Sequence, residues 1–495
     1  MSFNVSLKRN ANRNNILMTA YPLGDAPALI GGGGNDAFWD AKYTAWIDTL
    51  RGASATTYYV DPVAGNNTNP GTTGLPFADP TAAYAVMSGG DEIVIRGNGI
   101  TITDDDNFAF NDFEHSIPAG ISRTNRTIIR AETPFGVRIK FQANTRHFNF
   151  EAIKFDTNSF MFVDGFIIDW LNDGGDPENV ATMLAPENIM TRTIFRRDQL
   201  LTFGSFVVAS GNYSLLQDVH CVGGSRYGIQ MGAGTTGAGG KGVVRRSIQR
   251  VDFYGANQPQ APFSLYGNDG GFLSGEAEFQ NCYPVDGPYI DTTLGVFSYT
   301  WGGFYHPKNA FDIRHRGCGV FNQGGRAGFW VTDNANAHSY VLEDCAVVGE
   351  NPIKYGTRNG VHANTNGTAD RLTFVDVDGV DLNNGVTANN VYSGVPPVNI
   401  FNPLNGADLR YCYGEFGTVW GEVGFDTITT DKLWNFPYET KIREIFREPL
   451  PSPTGYTPPT NDSLRGFCAA NQTFSKYIAG FGTGDPATVL AGLYP

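Results

Sequence analysis

One short pattern returns along this chain at a nearly fixed interval and limits the fold more than any other feature. The pieces LLQDVHC, SIQRVDF, AEFQNCY, VLEDCAV, TFVDVDG and DLRYCYG share an apolar residue, a polar stretch and a second apolar residue. Those second apolar positions are Val219, Val251, Cys282, Cys345, Val377 and Cys412, with steps of 32, 31, 63, 32 and 35 residues. The double step holds FDIRHRGCG near its middle, where a missing repeat belongs, and MFVDGFIIDW upstream has the same character. A period near 32 with small or β-branched residues at one register predicts an all-β, single-stranded parallel β-helix with one coil per repeat. Each inward side chain contributes about 1.5–3 kcal/mol on burial, and no coil achieves that burial without neighbours. An antiparallel sandwich would instead show strands every 8–12 residues or so, joined by hairpin turns. Few Asn-Gly or Asp-Gly pairs stand between alternating runs here.

The segments before and after the repeats divide the chain further. Residues 1–34 form a polar arm with Lys8, Arg9 and Arg13, no acid before Asp25, and a joint of four glycines. Residues 35–56 predict a helix: Trp39, Tyr43, Trp46, Ile47 and Leu50 share one face, Asn35 or Asp36 caps the start, and Gly52 ends it. Its simplest role is a plug over the open end of the core. Residues 57–432 hold the β-helix, and residues 433–495 a C-terminal cap and tail. Trp434, Phe436, Ile442 and Ile445, followed by a Pro-rich run, predict a lid over the last coil.

Charge and cysteine usage exclude several partners. With 35 basic and 49 acidic residues the net charge is −14, a field that repels nucleic acid and anionic membrane. No apolar run reaches the length of about 18 residues that a membrane span needs. The first 30 residues lack the ordered regions of a Sec signal peptide. Six scattered cysteines without CxxC spacing read as reduced and mostly buried.

A resemblance then emerges. YYVDPVAGNNTNPGTTGLPFADPTAAYAVMSGGDEIVIRGNGITI, residues 58–102, resembles the opening segment of the pectate-lyase-like right-handed β-helix superfamily. RTIIRAETPFGVRIKF (126–141) looks like the second coil of the chondroitinase B and alginate lyase group, and residues 433–468 resemble the closing segment of many bacterial members. Together these cover about residues 57–470. The resemblance implies a right-handed tube, shared by polysaccharide lyases, hydrolases and phage tailspikes, and so fixes no activity.

Lyases of this group neutralise a uronate carboxylate and abstract the neighbouring proton with a Lys, His or Tyr. The family carries its arginine in an RHG motif with a lysine about twenty residues earlier. Here DIRHRGCG supplies Arg314 and His315, but Arg316 interrupts the motif, Thr293 stands where the lysine belongs, and Lys308 is nearest. The resulting catalytic candidates are Lys308, Arg314 and His315. Residues 306–362 hold four of the seven histidines and six Lys/Arg against five acids, a locally basic stretch that suits an acidic glycan. Trp301, Tyr305, His306, Arg316, Tyr355 and Arg358 are the candidate glycan contacts. The structural alternative for all of them is an ordinary solvated loop.

Acid-rich turns give Asp104, Asp105 and Asp106, and Asp173, Asp176 and Glu178. Asp104, Asp106, Asp173 and Asp176 are candidate Ca2+ ligands, although neither turn matches the twelve-residue Ca2+ loop and no cofactor is required. Asp376 and Asp378 are the best pair for a hydrolase. Three functions follow as expectations. The first is a virion or appendage spike, fibre or decoration protein, anchored by residues 1–34, displaying a glycan-binding surface outside cells and trimeric by analogy. The second is a secreted polysaccharide lyase acting by uronate β-elimination. The third is a structural surface protein with no ligand.

Overall fold

The computed structural model describes residues 36–104, 107–142, 151–171 and 179–197, most of 204–284, the strands between 302 and 401, and parts of 438–448. The strands form a 19-stranded and an 11-stranded sheet, each strand pairing in parallel with its counterpart one coil away. The larger sheet is two faces meeting at a corner, because the strands Ile189–Arg197 and Leu215–Gly224 run across both. The smaller sheet is the third face. This is a parallel β-helix, as the repeat requires.

The core is a set of register columns. On the first face Ile93, Ile129, Val163, Met190, Leu216, Val244, Phe279, His315 and Leu342 stack in order, none more than 1% exposed. Facing them, Phe110, Ile153, Ala181, Val207, Ile229, Phe263, Phe304 and Phe329 form the matching column of the third face. Phe263, Phe304 and Phe329 stack as a ladder with ring centroids 4.9 Å apart at each step.

The corner between the first two faces is a single left-handed residue per coil. Gly165 (φ 92°), Arg192 (φ 43°), Asp218 (φ 55°) and Arg246 (φ 47°) occupy the same register. A residue in this region turns the chain sharply at a cost, and the packed coils above and below hold it there.

The corner corrects the register expected from the repeat. Val251 pairs with Gly223, four residues beyond Val219. The residue above Val219 is Ser247, followed by Cys282 and Cys318, and all four are fully buried. The coils are also unequal, with register steps from 19 residues (Gly367 to Val386) to 43 (Phe110 to Ile153). FDIRHRGCG does supply the missing rung, as the strand Phe311–Arg316. Cys345, Val377 and Cys412 lie outside the described residues. Cys221, Cys282 and Cys318 are buried, with Cys282 Sγ donating to Val244 O (3.4 Å) and Cys318 Sγ to Phe279 O (3.3 Å).

The plug is not the helix. Helix α1 (Asp36–Leu50) lies lengthwise along the outside of the first face. Its Tyr43, Trp46, Ile47 and Leu50 pack on Ile128, Phe162, Ile189, Leu215 and Val243, the outward register of five successive coils. An outer face that is apolar over five coils must be covered, and a helix with one apolar stripe covers it. Asn35 and the Trp39 side chain lie outside the described residues.

The end of the tube is closed by residues 61–79 instead. The first strand, Thr57–Val60, pairs with Glu92–Ile95 on one edge. On the other edge Tyr59 N donates to Gly71 O (2.8 Å), Phe77 N to Tyr59 O (2.9 Å) and Asp61 N to Phe77 O (2.8 Å). Phe77 enters the core. Asn67 ties the loop shut, accepting from Ala78 N at 2.9 Å and donating to Asp79 at 2.6 Å.

The C-terminal segment departs from expectation in the same way. Tyr438 receives a hydrogen bond from Arg192 (2.7 Å), donates to Asp40, and packs edge-on against Phe135. Glu448 pairs with Arg138 (2.6 Å) and Arg196 (3.0 Å) on the outer side of the second face. These residues lie beside early coils and α1, not over the last coil. Ile442 and Ile445 are buried there, while Trp434 and Phe436 lie outside the described residues.

Candidate functional site

The strand Phe311–Arg316 alternates, so its neighbouring residues serve opposite sides of the first face. His315 points into the tube and is fully buried, stacked on Phe279 at 5.0 Å. His306, in the strand Gly302–His306, continues the inward register of Leu265 and is fully buried as well. Both expectations are corrected: neither a proton acceptor for a sugar nor a glycan contact can act from inside a closed core. Burial pushes His306 down to about 3. It pushes His315 well below the usual range, with His306 adding to the effect.

Arg314 lies half-buried in the outward register, beside Glu278 in the coil before and Val341 in the coil after. Arg316 is paired in register with Gln280 and Glu343. Each arginine therefore has an acid at its own register one coil away, which dilutes the basic stretch read from sequence. Tyr305 belongs to the third face, between Ser264 and Trp330. Trp301, Lys308, Tyr355 and Arg358 lie outside the described residues, as do Asp105, Asp106, Asp173, Asp176, Glu178, Asp376 and Asp378. Asp104 ends the strand Ile100–Asp104 opposite Phe141. Among the described residues no three His, Cys, Asp or Glu side chains are grouped to hold a metal ion.

A different cluster stands on the outer side of the third face. Inside EAIKFD (151–156), Ile153 and Phe155 turn into the core while Lys154 stays outside. The Lys154 Nζ lies 3.1 Å from Glu151 and 3.5 Å from Asp156. Thr182, next in register to Lys154, donates to Glu151, and Asn179 lies 3.5 Å from the same carboxylate oxygen. Burial holds both carboxyls above their ordinary range, against the pull of Lys154. Burial would lower Lys154, but Glu151 and Asp156 hold it above its usual value. Asp112 receives the backbone N–H groups of Asp156 (3.2 Å), Thr157 (3.0 Å) and Asn158 (2.9 Å), which fixes the loop behind the cluster. The Phe113 ring is 81% exposed and 5.6 Å from Lys154 Nζ.

The register of Lys154 continues through Thr182, Val208, Gln230, Ser264, Tyr305, Trp330, His362 and Asp381. Sequence reading missed the cluster because it followed the longest basic stretch. The available signal was an acid–x–x–Lys–x–acid run whose lysine and second acid share one strand face.

No protein-family model matches the chain, and no curated protein matches it. Among solved structures it is similar to the pectate lyase Pel9A, at 14% identity over 77% of this chain and 86% of that one, with a TM-score of 0.47. A rhamnogalacturonan lyase is similar at 12% identity over 79% of this chain and 98% of that one (TM-score 0.41). The catalytic domain of a GH87 α-1,3-glucanase is similar at 13% identity over 64% of each chain (TM-score 0.40). These likenesses carry no chemistry to this chain. Its own strand topology makes it a parallel β-helix, the architecture its opening segment led us to expect.

Proposed function

We propose that the protein is a glycan-binding β-helix that holds a polysaccharide along the outer side of its third face. The supporting observation is the exposed ring of Phe113 beside Lys154, Glu151 and Asp156. Among the described residues, α1 covers the outer first face and residues 438–448 pack on the second, whereas this part of the third face has neither over it. A flat apolar ring suits the C–H face of a sugar, and the carboxylates, Asn179 and Thr182 supply partners for hydroxyls. Tyr305 shares the Lys154 register five coils along, about 24 Å at about 4.8 Å per coil, which suits a polymer.

The finer reading is a spike, fibre or decoration protein on a virion or appendage surface, anchored through residues 1–34 and assembled as a homotrimer. The basic arm and its four-glycine joint support it. The lyase alternative loses its histidine base to the core. Affinity electrophoresis against a polysaccharide panel tests glycan binding, and retardation by none of them overturns the proposal. A rise in ultraviolet absorbance on alginate, chondroitin or pectin would reinstate the lyase. Deleting residues 1–34 is expected to abolish attachment to a particle and spare folding; attachment by the shortened chain removes the anchor.

A further inference from the structure

Resting on that glycan-binding reading, the geometry points to a narrower ligand: the site at Phe113, Glu151, Lys154 and Asp156 takes a neutral glycan rather than a uronate or sulfated one. Glu151 and Asp156 flank the Lys154 ammonium at 3.1 Å and 3.5 Å, and a third acid, Asp112, holds the backbone N–H of Asp156 behind them. A sugar carboxylate laid against the Phe113 ring would meet acids with no cation of the cluster left to pair with it. Like charges at this range oppose binding, and more strongly where burial lowers the effective dielectric.

The arginines that would have neutralised a uronate are elsewhere. Arg314 and Arg316 belong to the first face, in register with Glu278 and Glu343. The whole-chain charge of −14 also disfavours a polyanion. A hydroxyl, in contrast, finds what it needs. The Asp156 side chain is 32% exposed, and its Oδ2, the oxygen that faces Lys154, has lone pairs left to accept from a sugar O–H. The apolar ring of Phe113 stands beside the cluster, against the Lys154 ammonium.

The test is affinity electrophoresis of the full chain in gels containing dextran, laminarin, galactan or mannan, and separately polygalacturonate, alginate or chondroitin sulfate. At least one neutral polymer is expected to bind at least tenfold tighter than every acidic one. Phe113→Ala, at a side chain 81% exposed and so compatible with folding, is expected to weaken that binding about tenfold. Asp156→Asn is expected to weaken neutral binding and narrow the gap to the acidic polymers. Tighter binding of acidic polymers overturns the neutral class and leaves the glycan reading standing. Neutral binding unchanged in Phe113→Ala overturns the placement of the site. Binding to no polymer overturns the glycan reading together with this inference.

Discussion

His306 and His315 reach across the tube from two different faces and meet with their Nε2 atoms 3.1 Å apart. One ring must donate and the other accept, so the contact exists only while at least one histidine is neutral. Both are fully buried among Phe279, Phe304 and Phe329.

Burial of these histidines makes the fold acid-sensitive. His306 titrates at about 3 in the folded chain and near 6.5 when unfolded. His220, also buried, is pushed down to about 4. Below pH 6.5 the unfolded chain binds more protons than the folded one, so stability falls as pH falls toward the folded values. At pH 5 the loss relative to pH 7 is about 2 kcal/mol per histidine. Urea unfolding at the two pH values reads it directly. The double variant His306→Leu/His315→Leu is expected to lose about 4 kcal/mol less over the same interval, leaving the contribution of His220.

Two adjacent arginines respond oppositely to substitution. Arg246 donates to Asp218 through Nε (2.8 Å) and Nη2 (2.7 Å), and Tyr43 donates to the same carboxylate. Arg246→Met leaves a buried carboxylate without its ion pair and is expected to cost about 3–5 kcal/mol. Arg245 is fully buried and, among the described residues, makes one long side-chain hydrogen bond, to Gln217 at 3.3 Å, with no partner there for its Nε and Nη2. Burial, with Arg246 beside it, pushes its guanidinium down to about 9. Arg245→Met removes an ill-satisfied charge while keeping volume, and is expected to leave stability unchanged or raise it. Chemical denaturation of the two variants side by side distinguishes the roles.

The fold was legible in the sequence because each coil must stack apolar residues on those of its neighbours, and six such places repeat visibly. The register was less legible. In LLQDVHC the corner residue Asp218 separates Leu216 from Val219, and both are inward. The counterpart in the next coil is VVRRSIQ, with Arg246 at the corner and a buried serine at 247 where Val219 stood, so the inward position after the corner looks polar. Matching by hydrophobicity therefore slid to Val251. The site was less legible still. A basic stretch in one dimension became alternating acid and base once coils of unequal length set Arg314 beside Glu278. Lys154 and Thr182, 28 residues apart, became neighbours only through that same stacking.

The placement of α1 predicts where damage from its loss will spread. Trp46 is 2% exposed and meets Phe162 edge-on at 5.4 Å. Trp46→Ala is expected to cost about 3–5 kcal/mol. Hydrogen exchange should then quicken in the strands carrying Ile128, Phe162, Ile189, Leu215 and Val243 together, since one helix covers all five. Exchange confined to Thr57–Val60 would show instead that α1 serves the end of the tube.

The true end is closed at Gly71, and one methyl group tests that. Gly71 has φ +74°, and a Cβ there would lie 2.3 Å from the Phe77 ring, which is itself packed into the core. Gly71→Ala therefore combines a left-handed backbone with a clash against a side chain that cannot retreat, expected to cost about 1–3 kcal/mol. The larger consequence is at the edge. Gly71 O accepts from Tyr59 N and Phe77 N donates to Tyr59 O, so displacing the loop bares the outer edge of the first strand. An unpaired parallel edge is a template for another chain. The variant should self-associate with rising concentration under conditions where the parent chain does not, as measured by light scattering. Gly74→Ala, in the same loop with nothing within 4 Å of the added Cβ, should not. Equal association by both variants would mean that the loop does not guard the edge.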